Sequence, residues 1–581
     1  MLSINCIPQE LIVRIILCCD YVSILRFSLT CKLCHELITH SSAIQLQIEL
    51  EGNGFQVSDE AREAMFNGTA AQLLDEFKRY RDGWLYLKLG SALKIDPVDA
   101  DMRLYELRQG FYAAALSTTH ALPGIVKLIH LATGSTRLLT LGLNFSEFQI
   151  DPSQGLMVLV AIEESISEIS TIHLRSVLDG SPHESTQHPD WKIQLPFPMY
   201  RRSSGIFIEI MDDLLAVKYV SFDKDLTEIL IWNWRRAILL NRIRCTGPSC
   251  TFGFLTPNSI ILFQSASVED PEVSLLVFDN VRTPRIPVSN HPGHYVTSEY
   301  EPLVPRVLFE FPPFIPGSLA YLLLRAEPAP TLTSSGSAPF LPRPDARILQ
   351  LSMTVIRNYG QARGLSQYQF FISKEKLLKH VLPLDGLPEP SEYPIKVPWS
   401  DWGEYTTRLF ETRSAISPWI CRTYGTRFIQ SSPLRDDEDE LPHEYISVLD
   451  FHTPTVRRFS NQDEHPSMWD SKEERRHIDL NSTDEDLEHV TNTVLSKIAD
   501  PARDQNMVCV DTIDEDVPSK TPFNGDILVT RLPYRIVTRV QPLPKHSGWM
   551  MDNNSVIGMP GDDMENIQHE YMNIYTPYVQ R

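Results

Sequence analysis

Apolar side chains recur at helical spacing between residues 8 and 37, and from about residue 100 they alternate with polar ones at a period of two. Pro8 to Cys19 predicts a helix, because proline suits a first turn in which its missing N–H would have no partner. Leu11, Ile12, Val13, Ile15, Ile16 and Leu17 leave only Gln9, Glu10 and Arg14 as strongly polar positions. A helix apolar nearly all round has to be covered twice, once by its own domain and once by something else. That second cover is either the rest of the chain or a partner protein. Asp20 breaks the run, and Ile24, Leu25, Phe27 and Leu29 predict a second short helix. Thr30 is a candidate N-cap for a third, Cys31 to Leu37.

Residues 59–88 predict further helix, with Leu73, Leu74, Phe77, Tyr80 and Trp84 forming one apolar stripe at steps of three and four. This stretch reads as a stalk that both packs on the body and sets the distance of the first helices from it. Beyond it, strand pairs are expected at Leu156–Ile162 with Ile169–Leu174, and at Leu214–Val220 with Glu228–Trp234. Others are expected at Ser259–Phe263 with Val273–Phe278 and at Leu319–Leu324 with Arg347–Ser352, followed by strands at Tyr445–Phe451 and Asp526–Val537. Many β pairs at irregular spacings near or above 40–50 residues suggest a β-propeller with long loops. Asp213-Leu214-Leu215-Ala216-Val217 followed by Ile231-Trp232-Asn233-Trp234 resembles a WD-type blade, with Trp232-Asn233 where a Trp-Asp pair often sits. Leu138-x-x-Leu141-x-Leu143-Asn144 imitates a leucine-rich repeat, but no repeat follows it.

Composition narrows the functional classes. With 42% hydrophobic and 22% charged residues over 581 positions, the chain is apolar enough to bury a large core. Its 42 prolines disfavour a helical solenoid. The net charge of −21 argues against a nucleic-acid-binding body, and residues 436–516, with 23 acidic against 7 basic side chains, carry most of it. That stretch reads as a solvated acidic insertion spanning about 432–516, with a short amphipathic helix at Asp484–Ala499. Residues 327–345 read as a Pro/Ser-rich loop. No apolar run is long enough for a membrane span, and the N-terminus lacks a basic leader pattern. Five of nine cysteines crowd the first 34 positions at helix-like spacing, which fits reduced thiols in the cytoplasm or nucleus better than a disulfide framework.

The order Ile7-Pro8-x-Glu10-Leu11-x-x-x-Ile15-Ile16, then Ser23-Ile24-Leu25-Arg26-Phe27-Ser28-Leu29-Thr30-Cys31-Lys32, then Leu37, resembles the F-box. Ile7 replaces the usual leucine and Cys34 stands where many members carry tryptophan. The resemblance implies docking onto the Skp-type adaptor of an SCF-type cullin–RING ubiquitin ligase, with Ile7, Pro8, Leu11, Ile15, Ile16, Ile24 and Leu25 as adaptor-facing or supporting residues. The expected fold is mainly β within an α+β chain. It comprises a three-helix F-box at 1–50, a helical linker at 51–98 and a β-propeller-like, WD-type body at 99–581.

Catalytic chemistry is not legible. His35-Glu36-Leu37-Ile38-Thr39-His40 places its histidines five apart, off the shared face that a zinc-binding i,i+4 pair needs. Cys31-x-x-Cys34 has no second matching pair. Phosphate-loop, dinucleotide and serine-hydrolase motifs are absent. Arg201-Arg202, Arg235-Arg236 and Arg457-Arg458 offer guanidinium for phosphate contact, although ordinary surface charge explains them as well. The expectation is a substrate receptor that is not an enzyme, with no cofactor or metal, no nucleic acid, no membrane and an unknown protein target. Its alternatives are an adaptor-binding scaffold outside ubiquitination and an unrecognised enzyme on the β body.

Overall fold

Strands apolar on both faces need a sheet against each side, and a closed ring of sheets supplies this without leaving an open end. The computed structural model describes residues 7–64, 69–96, 102–117, 122–162, 164–200, 205–221, 223–246, 249–265, 272–284, 293–314, 318–324, 339–359, 362–381, 394–412, 421–433, 443–460, 508–539, 543–560 and 571–577. Four helices come first: α1 (Gln9–Ile16), α2 (Tyr21–Ser28), α3 (Lys32–His40) and α4 (Ser42–Gly52). After the strand Phe55–Val57 come α5 (Asp59–Ala64) and α6 (Ala70–Leu85). Seven blades follow, at 102–140, 147–200, 206–246, 249–310, 318–412, 423–539 and 548–575.

Each interface between neighbouring blades holds its own apolar cluster. Val126 and Phe148 meet between blades 1 and 2, and Trp191 and Trp232 between blades 2 and 3. Ile231 and Ile260 fill the next gap, then Phe263 and Phe370, then Phe371 and Phe428. Ile429 and Trp549 lie between blades 6 and 7. Tyr112 and Ile557 join blade 7 back to blade 1. Inner strands such as Leu156–Ala161 are buried throughout, which is why they read as near-continuous apolar runs. The WD-like segment forms its pair as expected, with Leu215 opposite Trp232 in blade 3. Asn233 Nδ2 donates to Asp213 there.

The ring closes through a strand the sequence reading did not mark. Leu93–Ile95 is the outer strand of blade 7, paired antiparallel with Met572–Ile574. Helix α6 ends eight residues before it and packs, as expected, on the body, in the seam between blades 6 and 7. Tyr80 donates its hydroxyl to Asn553 Oδ1 at 2.8 Å, and Trp84 Nε1 donates to the Asn553 carbonyl at 3.2 Å. The Arg427 guanidinium lies over the rings of Phe55 and Trp84, and Arg535 donates to the Leu85 carbonyl.

Several expectations need correction. The three expected helices are followed by a fourth, α4, whose Ile44 joins their core. Asp526–Val537 is two strands. Asp526–Thr530 forms a hairpin with Ser519–Phe523, and Tyr534–Arg539 returns to blade 6. Pro533, which lacks an N–H for a ladder, separates them. The hairpin packs on blade 5, where the fully buried Arg408 donates to Ser519 Oγ and to the Leu532 carbonyl. The acidic insertion contains blade strands at His443–Asp450 and Val508–Ile513, with α9 (Thr453–Ser460) between them. Two more helices, α7 (Lys374–Val381) and α8 (Trp399–Thr406), lie between the last two strands of blade 5. The expected helix at 484–499 and the segment 325–338 of the Pro/Ser-rich loop lie outside the described residues.

Glu106, on the first strand of blade 1, is buried, and burial outweighs the nearby Arg108 charge and the Gln149 hydrogen bond. Its carboxyl is thereby pushed up to about 7. Glu106 therefore keeps its proton in the fold at pH values where the unfolded chain has lost it, so its stability contribution disappears as pH rises from about 4.5 to about 7. Glu106→Gln removes that dependence. Its stability relative to the wild type rises between pH 5 and pH 8 by on the order of 3 kcal/mol, read by denaturant unfolding. A difference that stays constant across this range contradicts the assignment.

Candidate functional site

The four N-terminal helices are short, so caps and a small core set their geometry. Pro8 precedes α1 in the N-cap position, and Asp20 caps α2 by accepting from the Ser23 N–H at 2.9 Å and from its hydroxyl. The Ser23 N–H holds the Asp20 carboxyl below its ordinary range. Ile12, Ile16, Ile24, Ile38 and Ile44 meet in the centre. That core leaves the adjacent stripe of α1 without cover. Leu11 is 48% exposed and Ile15 60%, whereas Ile16 is 5% and Ile24 1% exposed.

Of the residues expected to form or support the docking face, Ile7, Pro8, Leu11, Ile15 and Leu25 lie at the surface, while Ile16 and Ile24 lie inside. Val22, Leu29 and Leu33 join the exposed set, Leu29 at 84%. Val22, Leu25 and Leu29 follow steps of three and four, so their common face was readable once α2 was placed. Exposed apolar side chains thus occur on α1, on α2 and its C-terminal cap, and at the start of α3. Single exposed hydrophobes are ordinary, whereas several on one small unit are the kind of feature that accompanies binding surfaces.

Charged contacts hold this unit against the ring. Glu49 on α4 receives Arg81 of α6 at 2.6 Å and Arg458 of α9 at 3.4 Å. Glu51 accepts from the Tyr21 N–H and lies 3.9 Å from Arg343. Gly54 takes a positive φ of 76° at the turn into the body, and a side chain there would collide with the His452 ring. A cleft of about 610 Å³ runs along the seam, lined by Asp20, Glu51, Phe55, Arg62 and Arg343 among others. Its acids and bases are mixed, with no convergent set of one sign.

Comparison with known families matches the F-box domain at residues 4–43. The segment that holds α1, α2 and α3 is an F-box. No curated protein matches the chain as a whole. Among solved structures, the WD40 domain of SCAP from fission yeast is 9% identical, covering 85% of this chain and 95% of that one, at a TM-score of 0.32. The β-propeller domain of the Trilobed protease from Pyrococcus furiosus is 8% identical, covering 62% and 90%, at 0.25. The blade count rests on the sheet order, not on these likenesses.

Outside the F-box the other candidates do not assemble into a site. Arg235 stacks on Trp234 in a turn and donates to Gln154, and Arg457, on α9, pairs with Glu515. Arg201-Arg202 lies outside the described residues. Among the described residues no three His, Cys, Asp or Glu side chains are grouped to hold a metal, and no helix is long and apolar enough to cross a membrane.

The two faces of the F-box predict opposite outcomes. Ile24→Ala costs about 2–4 kcal/mol of F-box stability, whereas Leu11→Ser stays within about 0.5 kcal/mol. Hydrogen exchange of the α1–α3 amides in the full chain reads both. Equal losses would contradict the assignment of faces.

Proposed function

We propose that this chain is a substrate receptor of an SCF-type cullin–RING ubiquitin ligase. The F-box binds the Skp-type adaptor, and loops of the propeller bind the protein to be ubiquitinated. The observation that carries this reading is an F-box whose own core is closed while Leu11, Ile15, Leu25, Leu29 and Leu33 remain exposed. Burying one such side chain contributes about 1.5–3 kcal/mol. Association itself costs about 4–15 kcal/mol, so several must be covered together for a stable complex.

In this role the receptor performs no bond chemistry. It supplies effective concentration, holding a target lysine near the charged conjugating enzyme that the cullin and RING subunits bring. Closure of the ring and the Glu49 contacts fit this role, because a receptor must transmit the position of its target to the adaptor without slack.

The double substitution Leu11→Asp with Ile15→Asp tests the reading, since both positions are exposed. Adaptor co-purification should fall at least about 100-fold, the effect of losing two buried anchors. Undiminished co-purification by a folded double variant refutes the reading.

A further inference from the structure

Cys31 and Cys34 bring two thiols together at the start of α3, with Sγ atoms 3.3 Å apart. Cys31 occupies the N-cap position in extended backbone and is exposed; Cys34, one turn on, is 5% exposed. Closing this gap to a disulfide of about 2.05 Å brings the sulfurs just over 1 Å nearer than they stand. The backbone N–H of Cys34, then its side chain and the Leu33 N–H, draw the Cys31 thiol below its ordinary range. A hydrogen bond with the Thr30 side chain favours the Cys34 thiolate, but burial and the Cys31 sulfur together outweigh it and shift Cys34 upward. One thiol is thus accessible and the easier of the two to ionise, and the other is sheltered beside it, an asymmetry that separates an attacking from a resolving cysteine.

We propose that Cys31 and Cys34 form a reversible dithiol–disulfide site that responds to hydroperoxides and gates docking of the F-box. This gating rests on the adaptor-binding reading above; disulfide formation does not. The Cys31 thiolate attacks one oxygen of the hydroperoxide, the O–O bond breaks, and the alcohol or water leaves with a proton. The sulfur, oxidised by two electrons, becomes a sulfenic acid. The Cys34 sulfur then attacks the Cys31 sulfur, the S–O bond breaks, and the hydroxyl departs as water with the proton from Cys34. A low-molecular-weight thiol restores the pair by exchange. Position makes the event consequential. Leu29 precedes Cys31 by two residues, and Leu33 lies between the two cysteines on the same turn, so the bond tightens the α2–α3 corner that carries part of the exposed apolar face.

The molecule contains its own comparisons. Cys18 and Cys19 are also exposed, but their sulfurs lie against the Arg14 and Ile15 carbonyls at the end of α1 rather than against a second thiol. Cys245 and Cys250 lie 3.8 Å apart, but Cys245 is buried between blades 3 and 4.

The full chain is treated with hydrogen peroxide, remaining thiols are alkylated, and each cysteine is read by peptide mass spectrometry. The Cys31–Cys34 disulfide should accumulate roughly tenfold faster than oxidation at Cys18 or Cys19, and Cys34→Ser should trap a sulfenic acid on Cys31. Adaptor capture by the oxidised wild type should drop severalfold and recover with dithiothreitol, while Cys31→Ser with Cys34→Ser captures equally under both conditions. A pair that stays reduced while Cys18 and Cys19 react overturns the proposal. A disulfide that leaves capture unchanged overturns the gating. Failure of the reduced wild type to capture adaptor at all would instead remove the receptor reading and the gating together, leaving the disulfide to be judged by mass alone.

Discussion

Three backbone pairs, Leu93 with Ile574, Lys94 with Asn573 and Ile95 with Met572, turn seven sheets into a ring. Each blade buries both faces only because it has a neighbour on each side, so an open ring would leave blades 1 and 7 with uncovered apolar faces. The cluster of Tyr112, Met550, Ile557 and Met572 fills the interface that the closing strand completes. A short strand this close to α6 also fixes where the F-box can stand. The chain leaves α6 at Leu85 and enters blade 7 at Leu93, so the helix is tied to the same seam that the closure secures.

From that seam outward, the structure separates packing from recognition residue by residue. Phe77, Tyr80 and Trp84 of α6 point into blades 6 and 7 and are fully covered. On α1, neighbouring positions part ways, with Ile12 and Ile16 inside and Leu11 and Ile15 outside. Glu49, paired with Arg81 and Arg458, settles the unit on the body without using its apolar face. Partly buried ion pairs of this kind do little for net stability but discriminate among orientations. The outward face stays exposed.

Much of this was legible in the sequence because the relevant signals are local. Pro8, Asp20 and the run from Ser23 to Lys32 define the F-box helices within a few residues of where they lie. Trp232-Asn233 and its preceding strand identified a blade because hairpin partners are close in sequence. What was missed depends on distance along the chain. Leu93–Ile95 is three residues long and finds its partner at the far end of the chain, which no period reveals. The hairpin at Ser519–Thr530 borrows blade 5 for its packing, so Asp526–Val537 looked like one strand. Ile24 and Leu25 have similar apolar character in the sequence and differ only in which side of α2 meets Ile44, a tertiary choice. The thiol pair was visible as a spacing, but its 3.3 Å approach required the fold.

Hydrogen exchange of the full chain with and without a Skp-type adaptor tests the central claim most directly, because it reports cover over each helix without altering any residue. The account predicts added protection in α1, α2 and the first turn of α3, with the blade interfaces unchanged. Unchanged exchange across these helices at saturating adaptor, or protection confined to the propeller, would contradict it.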